Sequence, residues 1–261
     1  MELVSDAMKI PALLHQTWKN DDVPDQFSEY VQSWKSNHPD WHYRLWTDQD
    51  NRRLIADEYA WFLETYDNYP AAIQRADVIR YFILHKFGGM YVDLDFMCRK
   101  PLDSLFEGRD CLVGLEPPQH CRHHGIPNLL CNALMAAVPG HPFFECVIQR
   151  LPGFVGYVEN KEPILSSTGP IMMSRVFEDF GAPELITVLP ARYLYPLTLQ
   201  QAAQFRLAGR VGVDLSEAFA IHLFYGSWWK TDSWDRNWRA YYKLKSLLQA
   251  CGNLIWRRES V

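Results

Sequence analysis

Apolar and polar positions change period several times along the chain, and each change marks an element. After Pro11 a short apolar run to Trp18 fits a first buried strand. Over residues 25–37, Phe27, Tyr30, Val31 and Trp34 fall at helical spacing, and Pro39 closes the segment. Residues 41–46 alternate, with Trp41, Tyr43 and Leu45 set against His42, Arg44 and Trp46, which predicts a second strand. Thr47-Asp48 then caps a helix running through Glu58 and beyond. Residues 70–87 give the clearest helix, with Pro70 in its first turn, Ala72, Ala76, Ile79 and Ile83 as an inner stripe, and Gly88-Gly89 as its stop.

Beyond the glycine pair, residues 90–96 and 111–115 read as strands and 119–129 as a loop. Residues 129–138 are strand-like, 141–151 and 169–180 helical, 186–195 and 218–225 strand-like, and 234–250 form a closing aromatic and basic helix. Strands alternating with helices, followed by a mixed second half, predict an α/β fold with a central sheet. One domain over residues 1–261 is expected, without repeats or low-complexity linkers.

Composition narrows the chemistry. The net charge of −5 comes without a polybasic run, which argues against a nucleic-acid partner. Residues 1–10 carry early acids and no long apolar core, so no signal peptide is expected, and no run of ~18 apolar residues predicts a membrane span. The 6 cysteines lack the spacing of a small secreted framework, so reduced thiols and a cytoplasmic location are expected. Aromatic residues make up 14% of the chain, enough to offer stacking faces for sugars or bases as well as core.

The sharpest chemical feature is Asp93-Leu94-Asp95, set among Met90, Tyr91, Val92 and Phe96. On a strand the two carboxylates would share a face about 6–7 Å apart. Two acids in apolar surroundings repel one another and are costly to desolvate, and a hard divalent cation, Mn²⁺ or Mg²⁺, relieves both penalties. Asp77 and Arg80 sit three apart on the preceding helix and share a face. Cys111, His120, Cys121, His123, His124 and Cys131 lack a paired C-x₂-C spacing and read as a histidine-rich acceptor loop rather than a zinc site.

Gln74-Arg75-Ala76-Asp77, Arg80-Tyr81, residues 88–95 and Lys100-Pro101-Leu102 together resemble the glycosyltransferases with a DXD-containing sugar-binding region. That group includes fungal initiating α-1,6-mannosyltransferases, inositolphosphoceramide mannosyltransferases, α-1,4-galactosyltransferases and clostridial-toxin glucosyltransferase domains. Residues 15–19, Asn132, 139–142, 168–170 and 226–228 extend the likeness in order along most of the chain. The resemblance implies a GT-A-like fold: a mixed central sheet flanked by helices, with a donor half at about 10–115 and an acceptor half at about 116–261. It implies a retaining transfer of a hexose from a UDP- or GDP-linked sugar to a glycan or glycolipid.

By the same resemblance Asp95 binds the metal directly, Asp93 holds the ribose or the sugar and touches the metal directly or through water, and His222 completes the site; a satisfied core histidine is the alternative, and Leu223 departs from the second histidine that relatives often carry. Asp77 and Arg80 hold the donor sugar. Trp18 stacks on the base, Gln16 and Asn132 line the donor site, and Ser227 and Trp228 close over the diphosphate. The aromatic-basic C-terminal helix offers a peripheral contact with the inner membrane face. Two other classes stay open: a carbohydrate-binding protein that has lost turnover, and a metal-dependent phosphohydrolase, which needs more ligands than the sequence offers.

Overall fold

The computed structural model describes residues 8–226. The chain divides into two compact units, Met1–Phe224 and Tyr225–Val261; of the second only Tyr225 and Gly226 are described, Gly226 with φ of 56°.

Strand β1 (Leu13–Thr17), helix α1 (Asp25–Asn37) and strand β2 (His42–Trp46) open the first unit. The helical spacing of α1 buries Phe27 and Trp34, and the Trp34 indole donates to the Phe96 carbonyl at 2.9 Å. Helix α2 (Asp48–Glu58) starts from a reciprocal cap: Thr47 Oγ1 accepts from Asp50 N, and the Asp50 carboxylate accepts from Thr47 N. After α3 (Leu63–Asp67) comes α4 (Ala72–Phe87), the long central helix. The expected inner stripe is not its organising feature. Ala72 is exposed and Ala76 half-buried, while every residue from 77 to 84 is buried, because α4 lies within the molecule rather than on its surface.

The helix stops where expected. Gly88 and Gly89 have φ of 64° and 85°. A Cβ on Gly88 would stand 2.6 Å from Pro139 Cδ, and one on Gly89 2.6 Å from the Leu13 carbonyl oxygen. Two glycines are therefore needed for β3 (Gly89–Val92) to enter beside β1.

The remaining elements are β4 (Phe96–Cys98), α5 (Asp103–Phe106), β5 (Cys111–Leu115), α6 (Pro118–His124), β6 (Leu130–Ala137), α7 (Pro142–Arg150), α8 (Pro163–Ser167), α9 (Pro170–Glu178), β7 (Thr187–Leu189), α10 (Ala191–Leu194), α11 (Leu199–Ala208) and β8 (Ala220–His222). A six-stranded sheet runs β2-β1-β3-β6-β5-β7, and β4 pairs with β8 in a second sheet. Pairing within the large sheet is parallel except at β3-β6 and β5-β6, so the sheet is mixed, as expected. Its two faces alternate along each strand: Tyr91 and Met135 join the core with α4 and α7, while Met90, Val92 and Leu134 join Trp34, Phe106 and Tyr195 on the other side.

Three expectations are corrected. The strand over 90–96 breaks after Val92, and Asp93 to Asp95 form a turn closed by Phe96 N donating to the Asp93 carbonyl at 3.2 Å. The loop over 119–129 contains α6, which Pro118 starts and Gly125, at φ of 67°, ends. The strand over 186–195 stops at Leu189, since Pro190 lacks an N–H for the ladder and opens α10 instead. The expected helix over 234–250 lies outside the described residues. Among the described residues no helix is long and apolar enough to cross a membrane.

Candidate active site

The site lies where the large sheet hands over to the small one. Asp93 follows the last residue of β3 and its N–H donates to the Ala133 carbonyl at 2.8 Å, which pins the turn to β6. The turn delivers Asp95 to β8, where Leu223 N donates to the Asp95 carbonyl at 2.9 Å. Phe96 and His222 are directly paired across β4 and β8. The carboxylates of Asp93 and Asp95 and a His222 ring nitrogen thus come within 4.8 Å of one another, the only such acid, histidine or cysteine cluster among the described residues. Convergence comes from a turn and a strand pairing, not from one strand face.

His222 is rigidly held. Its ring stacks on Phe96 with centroids 4.6 Å apart and planes 6° from parallel, and Phe224 lies against it at 4.0 Å. Nε2 sits 3.2 Å from Asp95 Oδ1, and Nδ1 is buried with no hydrogen-bond partner among the described residues. Burial opposes a charge on this imidazole, but Asp95, Asp93 and Glu116 outweigh it and raise its pKa.

Arg80 organises the acids. From α4, Nη2 pairs with Asp77 Oδ1 at 3.0 Å, and Nη1 reaches Asp93 Oδ2 at 3.3 Å and the Asn132 carbonyl at 2.9 Å. Nε donates to the Ala76 carbonyl at 3.2 Å. A guanidinium has five N–H donors, so among the described residues one on Nη2 is left without a partner. Burial works against its charge, yet Asp93, Tyr91 and Asp77 hold it well above the usual range.

Asp77 is nearly closed to solvent. Thr168 Oγ1 donates to Oδ2 at 3.1 Å and Asn132 Nδ2 to Oδ1 at 3.3 Å. Burial lifts its pKa to about 6, with Arg80 pulling down and Asp93 pushing up. Asp93 is likewise raised by burial, opposed by Arg80 and reinforced by Asp95. Its Oδ1 accepts the Tyr91 hydroxyl at 2.8 Å, and Tyr91 meets Thr17 Oγ1 at 2.9 Å. Gln16 Nε2 reaches the Asp93 carbonyl at 3.5 Å, while Gln16 Oε1 is buried without a partner among the described residues.

Asp77, Arg80, Asp93, Asp95, Asn132, His222 and Gln16 are thus brought together. Trp18 stands beyond the end of β1 on Phe27, ring centroids 5.9 Å apart, its indole nitrogen buried and unpartnered among the described residues. Ser227 and Trp228 lie outside the described residues. Gln74 and Arg75 serve the frame: Gln74 Nε2 donates to Ser167 Oγ at 2.8 Å and Arg75 Nη1 to the Tyr69 carbonyl at 2.8 Å.

Sequence reasoning missed Tyr91 and Glu116. Glu116, buried after β5, accepts from His120 Nδ1 at 2.8 Å, and burial, which would raise its pKa, is outweighed by His120 so that the carboxyl falls below its ordinary value. His120 also faces Phe224, ring centroids 5.4 Å apart, which links α6 to the His222 stack. No local pattern announced this, because the pairing spans β5 to β8.

The residues present fit a divalent cation. They offer two carboxylates and an imidazole, a buried ring nitrogen lacks a partner, and Asp77, Asp93, Asp95 and Glu116 outnumber the one permanent cation among them, Arg80.

Residues 24–111 match the family model described as a glycosyltransferase sugar-binding region containing a DXD motif. The chain is 43% identical over 178 residues to inositol phosphoceramide mannosyltransferase 2 of Schizosaccharomyces pombe, covering 68% of this chain and 49% of that one. It is 39% identical over 176 residues to mannosyl phosphorylinositol ceramide synthase SUR1 of Saccharomyces cerevisiae, covering 66% and 42%. The chain therefore spans about half the length of the curated relatives it matches. Among solved structures, the ligand-free glycosyltransferase domain from the YGT toxin aligns at a TM-score of 0.49 and 10% identity, over 69% of this chain and 80% of that one.

Proposed function

The chain belongs to the glycosyltransferase family with a DXD-containing sugar-binding region, and from that premise we propose that it moves a hexose, with mannose first in order, from a nucleotide-diphosphate sugar to an inositol-phosphate lipid. The observation that carries this reading is the convergence of Asp93, Asp95 and His222 beside the Arg80–Asp77 pair. Mannose and the lipid rest on the names of the relatives sharing about two fifths of the aligned residues.

Asp93, Asp95 and His222 would hold Mn²⁺ or Mg²⁺. Bound there, such an ion neutralises a diphosphate and stabilises charge on the departing nucleotide. Arg80 fixes the Asp93 carboxylate and offers its remaining N–H to the donor. Asp77 fixes Arg80, and with Asn132 and Thr168 it forms a wall for the sugar that does not reorganise during reaction. Gln16 has an unused carbonyl oxygen at the same turn. Retention of configuration is part of the proposal. Its support is that Asp77 and Glu116 are already committed to Arg80 and His120, which leaves neither acid as a dedicated base for inversion. A cytoplasmic location, at a membrane face, belongs to the same reading.

Asp95→Ala tests it. Transfer from a GDP- or UDP-linked sugar to inositol phosphorylceramide should fall to background, and thermal stabilisation by donor plus Mn²⁺ should disappear while the fold is kept. Near wild-type transfer by Asp95→Ala in excess EDTA would sink the metal assignment.

A further inference from the structure

Helix α4 carries a polar seam through its most buried stretch. Gln74, Asp77 and Tyr81 are three and four residues apart and share one face, while Val78, Ile79, Phe82, Ile83 and Leu84 join the apolar core. The seam meets the junction of α8 with α9. Gln74 Nε2 donates to Ser167 Oγ, Thr168 Oγ1 donates to Asp77 Oδ2, and the Tyr81 hydroxyl donates to the Thr168 carbonyl at 2.8 Å. Tyr81, fully buried, has a second partner in Asn132 Nδ2 of β6 at 2.9 Å. A buried polar network of this kind is stable only when its members are paired, so each proton has a defined place.

Counting those protons fixes the direction of the seam. The Tyr81 hydroxyl has one proton, and burial keeps it there by holding the phenol well above its ordinary pKa. The Thr168 carbonyl can only accept, so that proton goes to it. Toward Asn132, Tyr81 therefore accepts. The other Asn132 N–H goes to Asp77 Oδ1 at 3.3 Å, an oxygen that also takes the Arg80 guanidinium at 3.0 Å. Turning the amide over would set its oxygen against the Asp77 carboxylate and leave Tyr81 without a donor. What remains is Asn132 Oδ1. It accepts from no donor among the described residues, and it is not closed off from the surface.

Arg80 completes the arrangement. Its Nη1 holds the Asn132 carbonyl, and its one unpartnered N–H among the described residues is on Nη2, the nitrogen that meets Asp77. The wall around Asp77 thus offers one donor from Arg80 and one acceptor from Asn132. A phosphate oxygen can use only the first. Sugar hydroxyls both donate and accept, and can use the two together.

We propose that Tyr81 is a positioning residue for the donor sugar: it fixes the Asn132 amide so that the amide oxygen faces the hexose and accepts from one of its hydroxyls. Tyr81 itself touches no substrate. The inference deepens the proposed function and rests on its reading of Asp77, Arg80 and Asn132 as the sugar wall; it adds the polarity of that wall and the residue that sets it.

The test is calorimetric binding to the full chain with Mn²⁺, using GDP-mannose, or the UDP-hexose that the parent chain prefers, and its monodeoxy and monofluoro analogues. At one ring position, removing the hydroxyl should weaken binding roughly 10-fold, and fluorine, which cannot donate, should not restore it. That penalty should vanish in Asn132→Ala and shrink to about 3-fold in Tyr81→Phe, where the amide is held by Asp77 alone. Affinity of Tyr81→Phe for free GDP or UDP should stay at the parent's value, whereas a purely structural role would weaken nucleotide and nucleotide sugar alike. Thermal unfolding checks both variants. Tyr81→Phe leaves two buried groups unpaired and should be less stable; if it does not fold, the analogue series on the parent and on Asn132→Ala still decides the polarity. Full affinity for the fluoro analogue where the deoxy one binds weakly overturns the inference, because Asn132 would then be donating. So does a series with no sensitive position, or an equal penalty in the parent and Tyr81→Phe; either outcome leaves the donor reading standing. A parent chain that binds none of these nucleotide sugars overturns the sugar wall and this inference with it.

Discussion

Arg80 is the residue on which the acids of the site depend. Four of its donors are engaged, and two of the acceptors are carboxylates, Asp77 buried with it and Asp93 partly exposed. Removing one member of a buried ion pair leaves the other charge without a partner, a loss of about 3–5 kcal/mol. Arg80→Ala should therefore destabilise the protein on that scale as well as lower turnover. Asp77→Ala in the same background should cost far less than it does alone, because the charge it removes is already unpaired. Urea denaturation of the two single variants and the double variant measures this coupling. Strictly additive losses would mean that the pair contributes nothing beyond its separate contacts. Phe224 makes a different contribution: a bulky residue at φ of 47°, it holds its ring against His222 through a backbone conformation that side chains rarely adopt.

At the scale of elements, Gly88 and Gly89 decide how α4 meets the sheet. The Cβ that Gly89→Ala adds would meet backbone, not a side chain that can turn aside, and φ of 85° is strained for any L residue. The substitution should cost more than about 1 kcal/mol. Thr47→Ala, which removes only a cap, should cost about 1 kcal/mol. Chemical denaturation ranks them, and Gly89→Ala at or below Thr47→Ala would show that β3 can shift away from β1. The same elements show what the sequence made legible. Helix α1 came out with its observed bounds because Phe27, Val31 and Trp34 keep one helical face and Pro39 follows. Strands β2 and β5 followed from alternation and from an apolar run. Helix α6 was hidden because it has seven residues and only Cys121 buried, so no stripe announces it; Pro118 and Gly125 are its whole signal. Asp93 and Asp95 were legible as a pair, and His222 through the resemblance. The turn that joins them, and the Tyr91 and Glu116 contacts, depend on pairings between β3, β6 and β8 that no local pattern encodes.

For the molecule as a whole, the first two strands and the helix stop are locked together by one histidine. His15 is buried on β1, accepts at Nδ1 from the Trp46 indole on β2 at 3.1 Å, and approaches the Gly88 carbonyl with Nε2 at 3.1 Å. An acceptor at one nitrogen and a donor at the other define a neutral ring. Burial, partly opposed by the Gly88 carbonyl, accordingly lowers its pKa from the ordinary 6.5 to about 4. The folded state binds this proton less readily than the unfolded chain does. The stability His15 contributes is therefore complete above about pH 6.5 and is lost as pH falls toward 4. Burial lowers His38 and His141 as well, which adds in the same direction, whereas Asp77, lifted to about 6, works against it. A simple pH profile would mix these groups, so the test is a difference. His15→Gln keeps an N–H for Gly88 and cannot titrate. The stability advantage of the parent chain over this variant should shrink by about 3 kcal/mol between pH 7.5 and pH 4, the equivalent of its pKa displacement. Denaturation curves that stay parallel across that range would show that the proton enters elsewhere and that the β1–β2–Gly88 junction does not depend on a neutral ring.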